Sequence, residues 1–503
     1  MTGRLQDDLT LDAIAPTCTR DLIPQALRQP APHDAKKRTP TDEEATHLTS
    51  TATDKVTETM AAFYCSTTFG DLPPDIVQAT KRIIEDTLGC IVGGFSMPSS
   101  QIINQVMTTQ GGVPEATVLV SGVRLPATLA SYINSHMANA LDGDDVFMPA
   151  SHLAAGIVPP ALAVAESEQR SGSDLITAVA LGYEMAGRIN RSLKRFNPVK
   201  SKDSDTRLFG MGWGSFGSTV AAGRLLGLSQ DQMRNAFGIA AAHTPLPVAG
   251  KRSHPKPMGK YAMFGPIGQA GVTAALLAKA GFTAHQNIFD GPDGLWRMTG
   301  ESADCNWEAL AGSLGESWLV NDGLFKLYPA VWGFQGAVDL VYRLRSEKSW
   351  NPTDVDRVDV HMFSPPLKTH PQVLELETAV TGCFNLPHLL SCAAFGLPPG
   401  PDWHMPEAHR DRRLRTFAAK VHTHPWEESV TRIVISAGNR RLELRQGDGQ
   451  PDIVVSDDDL DVKFQNFCAR ALDNSRTREA LGMVRNLEDQ QSIDALVRTL
   501  IHA

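Results

Sequence analysis

Cysteine is scarce: seven in 503 residues, at positions 18, 65, 90, 305, 383, 392 and 468, with no CxxC pair. That scarcity excludes a disulfide framework and the usual structural zinc spacings, and it points to a reducing compartment. Long apolar runs are also missing. The softest stretch, SFGSTVAAGRLLGL at 215–228, is broken by Arg224, so no segment reads as a membrane span. The N-terminus carries early aspartates and no short apolar run, which excludes a secretory signal. Positive charge is not in excess. Lys+Arg number 47 against 56 Asp+Glu, a net charge of −9, so neither nucleic acid nor an anionic membrane is an expected partner. No P-loop is present, no GxGxxG opens a helix after a strand, and no GxSxG elbow occurs, so no nucleotide or nicotinamide cofactor is expected. A cytoplasmic protein is the expectation, with a mitochondrial location the alternative.

What is present is a core-forming composition, 42% hydrophobic and 20% charged. Residues 1–52 stand apart. Rich in Thr, Asp, Lys and Pro, they cannot bury enough surface to offset their ordering entropy and read as a disordered tail. From Asp54 onward apolar residues recur at helical spacing, as in Ile76, Val77, Ile83, Ile84, Leu88 and Ile91. The same period marks 127–140, 157–170, 173–194, 215–228, 231–242 and 266–281, about ten helices in all, many rich in Ala and Gly. After residue 318 the pattern changes. VDRVDVHMF at 355–363 alternates as a strand does, and RIVISAG followed by RRLELRQ reads as a hairpin. The tail from 457 is helical again. The expected architecture is therefore mainly α. A large helical domain is built from residues 53–318 and 456–503, with a smaller α+β lid inserted at 319–455.

Three segments carry chemistry. In NALDGDDVFMPASHLAAGIVPP (139–160), Asp142, Asp144 and Asp145 crowd the end of an apolar helix, a poor place for uncompensated negative charge. Asp142 and His152 are expected to meet across the loop as an acid/base pair or substrate clamp. The alternative is an acidic capping loop with a surface histidine. A metal is disfavoured there, because only one histidine is near. In KRSHPKPMGKYAMFGPIGQAG (251–271), Lys251, Arg252, Lys256 and Lys260 form a basic loop out of character with the net charge, as a small polyanionic substrate would require. A plain solvated loop is the alternative. In FKLYPAVWGFQGAV (325–338), Lys326 and Tyr328 precede a Pro-initiated helix at the junction of the two expected domains, where ligands commonly bind.

Taken in order, ALDGDDVFMPASHLAAGIVPPALAVAE, GYEMAGRI, FGSTVAAGRLLGLS, KYAMFGPIGQAGVTAALLAKAGFT, KLYPAVWGFQGAVD and FNLPHLLSCAAFG resemble the MmgE/PrpD family over roughly residues 54–500. That family includes 2-methylcitrate dehydratases, cis-aconitate decarboxylases and iminodisuccinate epimerases. The resemblance implies a helical domain with a smaller lid, a homodimer, and a site in the cleft that uses no cofactor or metal. It implies Asp142, His152 and Lys260 as catalytic residues, Lys260 being preferred to Lys256, and Tyr328 as a binder of a small polycarboxylate; from the segments above, Asp145, Lys256 and Lys326 are expected to bind the substrate with it. The chain departs from the family pattern at Val146, Leu208, Met263 and Gln335, where polar side chains are usual. Those exchanges suit a substrate with an apolar substituent. Dehydration of a citrate or alkylcitrate-type acid is thus the first expectation. Decarboxylation of a cis-aconitate-like acid, epimerisation and a non-catalytic scaffold are the alternatives.

Overall fold

Small residues on facing helices set the architecture. The computed structural model describes residues 55–148, 151–192, 212–244, 258–290, 294–295, 305–347, 350–362, 376, 378–425, 430–446 and 454–502; the expected tail at 1–52 and the positions of Lys256 and Leu208 lie outside them. In chain order the helices are α1 (Val56–Ser66), α2 (Pro74–Gly94), α3 (Pro98–Thr108), α4 (Ala127–Asn139), α5 (Val158–Ser167), α6 (Gly172–Ser192), α7 (Gly214–Leu226), α8 (Gln230–His243) and α9 (Phe264–Lys279). Helix α6 crosses α7 at a reciprocal glycine contact. A Cβ on Gly182 would lie 2.7 Å from the Gly217 carbonyl oxygen, and one on Gly217 would lie 2.5 Å from that of Gly182. No side chain fits there, so the two backbones approach directly. Across the other face of α7, Ser218 Oγ donates to the Gly268 carbonyl of α9 at 3.1 Å.

The chain is mainly α, and its described residues form two large hydrophobic cores and a small third cluster of Cys90, Met97, Ala140, Leu141, Met405 and Phe467. The larger is built from α1 to α9 and from the C-terminal residues Phe464 to Leu500. The smaller runs from Tyr328 to Leu442. It contains α10 (Gln335–Glu347), α11 (Leu386–Ala394) and α12 (Arg412–Ala418). Its sheet has four strands, Arg357–Met362, Val421–Pro425, Arg432–Ala437 and Arg440–Arg445, ordered second-first-third-fourth. The expected hairpin pairs antiparallel, Ile433 with Leu444 and Ile435 with Leu442. The strand Val421–Pro425, which no alternation announced, lies parallel beside the first. The helix expected at 332–345 opens with a 3₁₀ turn at Trp332–Phe334 and continues as α10 from Gln335. The Gln335 carboxamide holds the chain before the turn, accepting the amides of Leu327 and Tyr328 and donating to the carbonyls of Tyr328 and Ala330.

Two further features position the site. β1 (Val146–Phe147) pairs antiparallel with β2 (Gly323–Leu324), Val146 against Leu324 and Phe147 against Gly323. This two-residue ladder carries the residues just before Val146 to the residues just after Leu324. Beyond the smaller core, helix α13 (Asp457–Cys468), opened by a Ser456–Asp459 capping box, returns to pack on α2.

Candidate active site

Where α4 ends, Asp142 takes a left-handed backbone conformation (φ 49°), which a short polar residue tolerates better than most. The turn aims both its carbonyl and its carboxylate at one cation. Lys326 Nζ donates to the Asp142 carbonyl at 2.7 Å and to Asp142 Oδ1 at 2.6 Å, and it lies 3.8 Å from Asp144 Oδ1. All three side chains are buried. Burial works to strip the Lys326 ammonium of its proton. The Asp142 and Asp144 carboxylates outweigh that and hold the lysine above its ordinary value. Asp144 also accepts from Asn139 Nδ2 at 2.7 Å.

Asp145 has a different environment. Its carboxylate accepts the Ala154 amide at 3.0 Å and the Leu153 amide at 3.3 Å, at the turn that leads into α5, and the Tyr183 hydroxyl at 2.9 Å. Burial and the neighbouring Asp144 charge nevertheless raise it to about 7. A second lysine closes the loop from behind. Lys463 of α13 is hydrogen-bonded to Asp86 of α2 and donates to the Gly143 carbonyl at 2.6 Å.

His152 sits at the rim of this cluster. Its Nδ1 lies 2.7 Å from the Asp145 carbonyl and 3.6 Å from Asp144 Oδ2. Because a carbonyl only accepts, Nδ1 carries the proton, and the neutral ring then bears its lone pair on Nε2. The side chain retains 15% exposure, whereas Asp144 and Lys326 have none. Phe264, the first residue of α9, meets the imidazole edge-on, ring centroids 6.3 Å apart. The backbone just before it forms a 3₁₀ turn at Met258–Tyr261, which includes Lys260.

Residues 58–308 match the MmgE/PrpD N-terminal domain, and residues 328–489 match the MmgE/PrpD C-terminal domain. The chain belongs to the MmgE/PrpD family. It is 26% identical to the cis-aconitate decarboxylase of Homo sapiens over 88% of this chain and 94% of that one. To the enzyme of the same name from Mus musculus it is 25% identical, with 88% and 93% covered. To that of Aspergillus terreus it is 25% identical over 59% and 61%. These relatives support a lyase of the MmgE/PrpD family.

In this family member the structure brings Asp142, Asp145, Lys326 and His152 into one cluster. His152 is hydrogen-bonded to the Asp145 carbonyl, with Asp144 beside it, while Asp142 is held by Lys326. Lys326 holds the acids together instead of lining a surface. Tyr328 is directed elsewhere. Its hydroxyl donates to Asp339 at 3.1 Å, and its ring lies near-parallel to those of Tyr342 and Trp403, the three centroids 5.4–6.3 Å apart in the smaller core. Lys256 lies outside the described residues, and of Lys260 only the backbone is described. Sequence reasoning missed Lys463, Asp86, Tyr183 and Asn139. Each is a single polar residue within a helix, with no local pattern to mark it. Among the described residues no helix is long and apolar enough to cross a membrane.

Proposed function

We propose that this protein is a lyase that transfers a proton beside a carboxylate of a small di- or tricarboxylic acid, with His152 as the proton carrier. One observation carries the reading: His152 is the solvent-reaching edge of a buried acid–lysine cluster, and it abuts the helix that follows the basic segment 251–260. The Asp145 carbonyl and Asp144 orient its ring, and their negative character favours the imidazolium that forms when it accepts a proton. Lys260 and Lys256 are assigned to the substrate carboxylates, where fixed cations stabilise an enediolate-like charge as it develops.

Decarboxylation of a cis-aconitate-like acid comes first, because two cis-aconitate decarboxylases match nearly end to end. In that reaction the bond to the departing carboxylate breaks, its electron pair stays on the remaining acid, and His152 delivers the proton that quenches the carbanion. Dehydration of an alkylcitrate is the second reading. It is favoured by the apolar residues Val146 and Met263, both buried, where a family site is usually polar. The test mixes protein with citrate, 2-alkylcitrates and cis-aconitate and follows CO2 and enoate absorbance together. CO2 release supports decarboxylation, and absorbance gain without CO2 supports dehydration. His152→Gln is expected to lower the rate by about 10²–10⁴-fold. Silence on the whole panel, or a fully active His152→Gln, would defeat the proposal.

A further inference from the structure

Away from the acid cluster, three imidazoles converge. His388 lies in α11, His404 closes a 3₁₀ turn at Pro401–His404, and His409 belongs to a short helix at Pro406–Arg410. One ring nitrogen of each lies within 4.8 Å of the other two. Backbone carbonyls already orient two of the rings: His388 Nε2 donates to the Trp403 carbonyl at 2.6 Å, and His404 Nε2 donates to the Pro329 carbonyl at 2.7 Å. With Nε2 protonated, the neutral rings carry their lone pairs on Nδ1.

Two of the inward-facing nitrogens are orphans. His404 Nδ1 and His409 Nε2 are buried and have no hydrogen-bond partner. Buried polar atoms normally find one, so an exception needs a reason. The space between them is kept open by a glycine. A Cβ on Gly382 would lie 2.6 Å from His404 Nδ1 and 3.0 Å from His409 Nε2. Neutral imidazole is the form that coordinates a metal.

We propose that His388, His404 and His409 bind a divalent late transition-metal ion of the Zn2+ type in front of Gly382. Three imidazoles select Zn2+, Co2+, Ni2+ or Cu2+ over Mg2+ and Ca2+, which take oxygen. The Trp403 and Pro329 carbonyls play the part of the outer partners that fix ligating histidines. Ligands about 2.0 Å from a tetrahedral ion stand roughly 3.3 Å apart, so modest ring rotations complete the site. Its position links the two cores. Pro329 is three residues beyond Lys326, and Cys383, next to Gly382, places its sulfur 3.5 Å from the Leu141 carbonyl, one residue before Asp142. A bound ion therefore ties together three elements of the smaller core beside the contact that Cys383 makes with the acid loop. The proposal is independent of which acid the protein converts.

The test uses the full chain, without an affinity tag and dialysed against chelator, titrated with Co2+ and read by visible absorption. One Co2+ per chain is expected, displaced by Zn2+, with a rise in Tm. His409→Ala removes the half-buried ligand, and Gly382→Ala fills the gap while leaving every histidine in place. Both are expected to weaken Co2+ binding beyond the roughly 100-fold that loss of an outer partner costs. His424→Ala, in the separate His361–His424 stack of the sheet, is expected to change nothing. X-ray absorption of the metal-loaded parent, which needs no variant, is expected to show three imidazole ligands. Failure of the parent to bind one ion, parent-like affinity in His409→Ala and Gly382→Ala, loss of binding in His424→Ala, or fewer than three imidazoles would overturn the site.

Discussion

Lys326 offers the sharpest test of how the site is held. The ammonium is fully buried, 2.6 Å from Asp142 Oδ1 and 3.8 Å from Asp144 Oδ1. At an effective dielectric of about 20, those separations correspond to attractions of about 6 and about 4 kcal/mol. The desolvation of three buried ions offsets most of that sum, several kcal/mol for each. Removing only the cation restores none of the carboxylate solvation. Lys326→Met should therefore cost about 3–5 kcal/mol, the usual penalty for stranding buried charge. The loss must depend on pH, and its sign is fixed. Without the ammonium, burial and mutual repulsion raise the Asp142 and Asp144 carboxyls above their unfolded values. The native state then binds more protons than the unfolded state, and stability falls as pH rises. Paired thermal scans of parent and variant should show the larger deficit near about pH 8 and the smaller near about pH 5. Adding Asp142→Asn to Lys326→Met should recover part of the loss, since a neutral pair strands less charge. Equal deficits at both pH values, or no recovery in the double variant, would refute the neutralising role. A variant of parent-like stability whose KM alone rose would instead make Lys326 a substrate contact.

Two other perturbations follow from the same geometry. Tyr183→Phe removes a donor that lowers the Asp145 carboxyl, which burial and Asp144 hold at about 7. Its folded value lies above its unfolded one, so its contribution is present at acid pH and lost as pH rises toward about 7; the variant should lose about 1–3 kcal/mol, mostly above neutrality, in urea unfolding at several pH values. Gly217→Ala places a methyl 2.5 Å from the Gly182 carbonyl oxygen, so α6 and α7 must separate, at about 1–3 kcal/mol read as a drop in Tm; an unchanged Tm would mean that the crossing is not close-packed.

The helices were legible because their signal is local. Segments such as 173–194 and 266–281 repeat apolar and small residues at the helical period, and the structure forms α6 and α9 there. The hairpin at 432–445 was equally plain, with Gly438 at positive φ in its turn. The strand Val421–Pro425 was not. VHTHP alternates nothing apolar, and it is held as a strand only by the parallel neighbour it pairs with. Within the site the acid loop announced itself by charge density. Lys463 did not, because a single lysine among DDDLDVKFQNFC reads as the solvent side of an amphipathic helix. Only the approach of α13 to α2 turns it inward. The three histidines were silent for the same reason. They are spread over 388–409 with no ligand spacing, and they sit on three separate elements, α11, the Pro401–His404 turn and the Pro406–Arg410 helix, that only the fold brings together.

The missed residues also explain when the site can form. Asp86, Asp142, Asp144 and Asp145 are four carboxylates removed from water, and the two lysines that meet them lie far along the chain. Lys326 is 184 residues from Asp142, and Lys463 is 320 residues from Gly143. The helical segment before residue 318 holds the acids but neither cation, so on its own it would have to bury them unpaired or protonated. The acid loop is thus stable only once the chain has passed through the smaller core and α13 has returned to α2. Burial first, and the Asp144 charge second, raise Asp145 to about 7, and the Asp145 carbonyl holds His152, the member of the cluster that reaches solvent. The long-range pairing therefore does more than hold the loop, because the loop it fixes carries the carbonyl that orients His152 at the solvent-reaching rim of the cluster.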